Sequence, residues 1–401
     1  MVLWRFLLAA QLGMLVDAAW PISADQLSLP LVFAEVHPWL ATPPVDGFYA
    51  RWDDTGHSPS LSDVASVLWP LRGLYSSGNC SAVAEVGGDL KAAGVDVAVI
   101  DWIGGGVYPD EASRVATMLA CLGIPAVVMV DLEPDWTREP FNASVERLRR
   151  VVTEFTGLQS YYRDPSTHLP IVFVWDPAAG ADVASWNSLL RSFKEDGSTR
   201  CIFIAGLGFH TPLDWAAASL FDGVSVAADA TEGSDEATFE WVIYNLRGKA
   251  QYNQFAVGWA IPGFDASANC DDESPRVVER SSGAVFSAKW AGLVNASWQG
   301  NQLAGAYVPY HNDGESNGIQ AAAPQPPLRQ AGYASCGGRL GQSYATYAPL
   351  DPSAYIGLNA QWAQRFKSSR WGAHQSAGRG RDGEERVGGE GGRARLRSSG
   401  L

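Results

Sequence analysis

The sequence predicts a (β/α)8 barrel of the TIM type, an α/β fold. Eight short apolar, β-branched runs recur along the chain without polar alternation, and helix-period segments separate most of them. Runs of that kind are strands buried on both faces, and strands alternating with helices build a parallel sheet wrapped by helices. A doubly wound sheet would need a phosphate-cradling glycine loop after its first strand. The glycine run Gly104-Gly105-Gly106 follows the second strand instead and lacks G-x-G-x-x-G spacing.

In chain order the strands are read at Leu31–Val36, Asp96–Trp102, Ala126–Leu132, Ile171–Trp175, Cys201–Ala205, Gly223–Ala227, Phe255–Trp259 and Gly305–Pro309. Helices are read at Ser81–Ala93, Glu111–Leu122, Asn142–Phe155, Val183–Phe193, Thr238–Leu246 and Gly283–Leu293. The third is the clearest. An Asn or Ser caps it, Val145, Leu148, Val151, Val152 and Phe155 fall on one face, and Gly157 closes it.

Three regions follow from composition. Residues 1–19 combine Arg5, the apolar run Phe6–Val16 and small residues before a cut after Ala18 or Ala19, the layout of a secretory signal peptide. The run is shorter than the roughly 20 residues that span a bilayer, and no later run is longer, so no membrane span is expected. Residues 20–366 form the barrel. Residues 367–401 are rich in Gly, Arg and Ser, with little to bury, and are expected to be a disordered tail.

The chain has 401 residues and a net charge of −14, with +4 in residues 367–401, zero in the first nineteen and −18 between them. An acidic barrel is a poor partner for nucleic acid. Five scattered cysteines (Cys80, Cys121, Cys201, Cys270, Cys336) leave room for one or two bridges whose pairing the spacing does not decide. The sequons at Asn79, Asn142 and Asn295 fit a secretory route and glycosylation, so the chain is expected to be secreted or luminal, and monomeric.

Chemistry in such barrels lies at the C-terminal ends of the strands. There the sequence places His37 and Trp39 after strand one, Asp101 and Trp102 at strand two, Asp131 and Glu133 at strand three, and Trp175 and Asp176 after strand four. Asp229 follows strand six, Trp259 and Asp265 strand seven, and Tyr310, His311, Asn312, Asp313 and Glu315 strand eight. Carboxylates accept hydrogen bonds from hydroxyls and move protons, while indole faces stack on a pyranose, so the pattern points to an oligosaccharide or polysaccharide ligand. The six histidines lack metal-ligand spacing, and neither a serine-hydrolase elbow nor a P-loop is present, so no metal or cofactor is expected.

Several of these segments together resemble glycoside hydrolase family 99, the endo-α-mannosidases, and the neighbouring family 71. Val36-His37-Pro38-Trp39 is similar to the family's Y-Y-P-W, Phe48-Tyr49-Ala50-Arg51-Trp52 to its Y-x-H-W, and Asp131-Leu132-Glu133-Pro134 to its H-I-E-P. Phe173-Val174-Trp175-Asp176, Phe221-Asp222-Gly223 and Pro262-Gly263-Phe264-Asp265 follow in the family's order, and the resemblance spans about Leu31 to Phe366. It implies a barrel that cleaves α-mannosidic bonds with retention, using two acids after the last strand.

The matching stretch is His311-Asn312-Asp313-Gly314-Glu315-Ser316, where Glu315 falls on the proton donor and Asn312 on the base. An amide takes up no proton near neutral pH, and a one-residue slip would put Asp313 there. On the strand-end pattern, a glycan in this cleft is expected to stack on Trp39, Trp52, Trp102 and Trp259, with Asp101, Glu133, Asp176, Asp265, Tyr310 and His311 lining it. Three readings follow: a secreted hydrolase of α-linked, mannose-containing glycans, a carbohydrate-binding homologue without turnover, and an α-1,3-glucanase-like hydrolase.

Overall fold

The computed structural model describes residues 27–28, 30–66, 68–104, 108–132, 141–177, 182–207, 215–226, 254–265, 268, 277–278, 280–298, 303–311, 318–324 and 354–381. Its centre is a closed barrel of eight parallel strands: β1 (Leu31–Val36), β2 (Val97–Trp102), β3 (Ala126–Asp131), β4 (Ile171–Trp175), β5 (Ile202–Leu207), β6 (Gly223–Val226), β7 (Phe255–Trp259) and β8 (Leu303–Pro309). Each strand pairs with its sequence neighbours, and β8 closes on β1 with Leu31 opposite Gly305 and Glu35 opposite Pro309. All eight strands read from the sequence are present, with bounds differing by two residues or fewer. The residues of β2, β3, β4, β5, β7 and β8 are buried throughout, which is why their sequences show no alternation.

Around the barrel lie α1 (Cys80–Ala92), α2 (Glu111–Cys121), α3 (Phe141–Arg150), α4 (Val183–Glu195), α5 (Ala284–Trp298) and α6 (Ala354–Arg381), besides shorter turns. The Asn79 side chain caps α1 by accepting from Ser81 N. Asn142 is not a cap: α3 already includes Phe141, and Asn142 stands exposed in its first turn. The segment continues as a wider π-type turn over Val151–Phe155, where Thr153 and Thr156 donate back to Arg149 O and Val152 O, so it ends before Gly157. The helix expected at Thr238–Leu246 lies outside the described residues.

Helix α6 runs past residue 367 to Arg381, and Lys367 Nζ donates to Gly94 O at 3.0 Å and to Asp96 Oδ1 at 2.6 Å, tying that residue to the barrel. Residues 382–401 and 1–26 lie outside the described residues, and among the described helices none is long and apolar enough to cross a membrane.

Cys80 and Cys121 form a disulfide joining the start of α1 to the end of α2 across 41 residues of sequence, while Cys201 is a buried free thiol. Closing a loop of that length restricts the unfolded chain by about 4 kcal/mol in the chain-entropy picture. The double variant Cys80→Ser/Cys121→Ser is therefore expected to lose about 3–4 kcal/mol, read as a lower urea midpoint with a somewhat steeper slope, since the freed unfolded chain exposes more surface. An unchanged midpoint would show that helix packing alone holds the pair.

Candidate active site

Successive strand residues point to opposite sides, so every second residue of each strand faces the barrel interior. Tyr307 of β8 shows which. It is fully buried, stacks on Trp259 at 4.2 Å, and packs against Phe173, which itself meets Phe33 at 5.4 Å. Its hydroxyl donates to Met129 Sδ at 3.9 Å and feels the charges of Glu35, Asp101 and Asp131. Burial, followed by these carboxylates, holds its proton well above the ordinary tyrosine range. Glu35, Asp101 and Asp131 therefore converge from β1, β2 and β3, three neighbouring strands, on one phenol. Across the mouth, Trp175 of β4 meets Trp259 of β7 at 5.6 Å, and the Trp259 indole N–H donates to Ser225 Oγ of β6 at 2.7 Å. One half of the mouth is acidic and the other aromatic.

A ring stack extends from the acidic half. The backbone N–H of His37 donates to His311 Nδ1 at 3.0 Å, which leaves the His311 proton on Nε2. The two imidazoles stack at 5.0 Å, His37 stacks on Trp39 at 4.1 Å, and Trp39 on Tyr108 at 5.6 Å. His37 Nε2 lies 3.0 Å from Glu35 Oε1. Glu35, His37 and Asp101 each bring one donor atom within 4.8 Å of the others, a set that serves hydrogen bonding and cation binding alike.

Of the residues read from the sequence, the mouth unites Asp101, Asp131, Trp175, Trp259, His37 and His311. Trp102 is not among them. Since Asp101 faces inward, its neighbour must face out, and its indole packs on Phe155 and the Arg150 guanidinium in the helix layer. Tyr310 likewise turns outward, donating to Asp89 of α1 at 2.6 Å and accepting from Arg72 at 3.1 Å. Trp52 is 1% exposed and donates to Tyr75 O, and Trp39 is 4% exposed and stacks on both His37 and Tyr108, so both indoles serve packing rather than an open stacking face.

Asp176 is buried at positive φ, with its N–H on Gly206 O, and Asp265 is fully buried in the two-residue pairing of Phe264–Asp265 with Val277–Val278. Asn79 is half-buried, and Asn142 and Asn295 are exposed on their helices. Glu133, Asp229, Asn312, Asp313 and Glu315 lie outside the described residues. The chain flanking residues 312–317 is described: Ile319 N donates to Pro309 O at 3.0 Å and Gln320 N to Tyr310 O at 2.8 Å. The chain thus leaves and rejoins the same end of β8, at the barrel mouth.

Sequence reasoning missed Glu35 and Tyr307. The signal for Glu35 was available, since it is the lone charged residue in the apolar run Leu31–Val36. For Tyr307 there was none, because a tyrosine in a buried strand reads as core.

No family model matches the sequence. The glycoprotein endo-alpha-1,2-mannosidase of Mus musculus is 21% identical over 369 residues, covering 83% of this chain and 74% of the mouse protein. Among solved structures, the GH99 endo-alpha-mannosidase from Bacteroides thetaiotaomicron matches with a TM-score of 0.68 at 17% identity, over 85% of this chain and 98% of that one. A glycoside hydrolase-like protein matches with a TM-score of 0.55 at 11% identity, over 87% and 97%. The resemblance to family 99 is borne out by these likenesses, and the structural ones establish the barrel fold.

Proposed function

We propose that the chain is a glycosidase of the secretory route that hydrolyses α-linked, mannose-containing glycans. The carrying observation is the barrel mouth itself. Three carboxylates face an aromatic half-ring, and the segment bearing Asp313 and Glu315 leaves and rejoins the barrel beside them. Carboxylates beside aromatic rings suit a pyranose, whose hydroxyls donate and whose C–H face stacks. In this reading Glu315 protonates the departing oxygen, and Asp313, or a carboxylate of the acidic half, handles the second proton. The relatives described as endo-mannosidases support the choice of mannose. The disulfide and the N-terminal pattern support an oxidising, secretory compartment.

One observation favours a second reading. Asn312 stands where the family resemblance expects the base, which suits a lectin-like homologue that keeps the cleft without turnover. The full chain, expressed through a secretory pathway, is to be assayed on α-mannans and glucosylated high-mannose glycans for new reducing ends and, in parallel, for binding. Turnover supports the hydrolase. Binding without reducing ends supports the lectin-like reading, and neither on any α-linked glycan would overturn both.

A further inference from the structure

We infer that Glu111 is a positioning residue of the barrel mouth: together with Arg114 and Arg147 it clamps, from the outer helices, the strand ends that carry the acidic half. The inference rests on reading that mouth as the glycan site. Glu111 opens α2, and its two carboxyl oxygens accept from Ile103 N at 2.9 Å and Gly104 N at 2.8 Å, the residues that follow Asp101 and Trp102. Three residues on, Arg114 donates to Trp39 O at 3.2 Å and to Asp46 Oδ1 at 3.2 Å, holding the loop that leaves β1. From α3, Arg147 donates to Asp131 O at 2.8 Å, holding the end of β3.

The pieces interlock at Gly104. Its φ is +73°, and a Cβ there would overlap the Arg147 guanidinium, so this cation lies directly against the backbone that Glu111 grips. The clamp thus reaches the ends of β1, β2 and β3, which are the strands of Glu35, Asp101 and Asp131. None of its three residues belongs to the mouth.

The charged groups around Glu111 are Arg114 on its own helix, with Asp46 behind it, and Arg147 from α3. Burial is the largest influence on the Glu111 carboxyl and raises it from 4.5 to about 7, outweighing the two N–H donors and both arginines. The closed clamp therefore favours the protonated acid, and a Glu111 released to water gives that proton up. By linkage the clamp is strongest below about pH 4.5 and weakens by up to tenfold per pH unit as pH rises from there to about 7. It levels off above that, where the closed form is ionised as well.

The test is amide hydrogen exchange at Ile103 and Gly104 in the full chain between pH 5.5 and 8.5, corrected for intrinsic rates, for wild type and Glu111→Gln. The amide is a neutral isostere of the protonated acid. Wild-type protection should fall roughly tenfold between about pH 5.5 and 7 and level off above that, and the fall should vanish in Glu111→Gln. On a glycan that the chain turns over, KM should move less than about twofold in the same variant, because no clamp residue touches substrate. A flat wild-type protection profile, or the same fall in Glu111→Gln, would overturn the clamp while leaving the glycosidase reading intact. Absence of turnover would remove that reading and leave the exchange result to stand by itself.

Discussion

Glu315→Gln should lower kcat on a natural α-mannosidic substrate by about 10³-fold with little change in KM, the loss typical of a missing general acid. A glutamine side chain keeps the shape of the carboxyl but has no proton to give to the departing oxygen. The size of the loss should therefore depend on the leaving group. A mannosyl fluoride or dinitrophenyl mannoside departs without protonation, and on these substrates the variant should retain most of the wild-type rate. Equal losses on both kinds of substrate would mean that Glu315 shapes the cleft rather than donates a proton. Asn312→Glu sharpens the test by restoring a carboxylate where the chain has an amide. A gain in turnover would show that the second proton is poorly handled as the chain stands, and no gain would favour Asp313 or the acids of the mouth.

Gly87→Ala should cost at least about 3 kcal/mol of stability, a large effect for one methyl group. Gly87 lies on the buried face of α1, where a Cβ would fall on the carbonyl oxygen of Leu122 and 2.7 Å from its carbon, just beyond the end of α2. Backbone cannot swing aside as a long side chain can, and the Cys80–Cys121 disulfide keeps the two helices from separating. Gly88, the next residue, supplies the control: a Cβ there meets nothing within 4 Å. Gly88→Ala should be neutral or raise stability by up to about 1 kcal/mol, since alanine is the better helix former. Thermal unfolding of the two variants with the disulfide intact should give a clear drop in Tm for the first and none for the second. Equal Tm values would mean that α1 and α2 are not packed as closely as described.

The barrel was legible because strand and helix are written in one-dimensional periodicity. All eight strand runs became strands, and reading strand ends brought in Asp101, Asp131, Trp175 and Trp259 of the mouth but not Glu35 or Tyr307. Where the reading failed, neighbours remote in sequence decided. Asp101 and Trp102 sit side by side in the sequence, yet one turns to the Tyr307 hydroxyl and the other to Phe155, and this parity depends on register against β1 and β3. Lys367 is another such case: Gly94 and Asp96 take it up across a distance in sequence that composition cannot see.

Short β-branched runs alternating with helix-period segments were enough for the class of fold, since strands too short for buried helices satisfy their backbones in a parallel sheet that the helices cover. Chain closure was what gathered Glu35, Asp101 and Asp131 around one phenol and set Glu111 under the loop that follows β2. Proton affinity is a property of that gathering. Glu111 is an ordinary first-turn acid when read along the helix, and only desolvation in the closed structure raises its carboxyl to about 7.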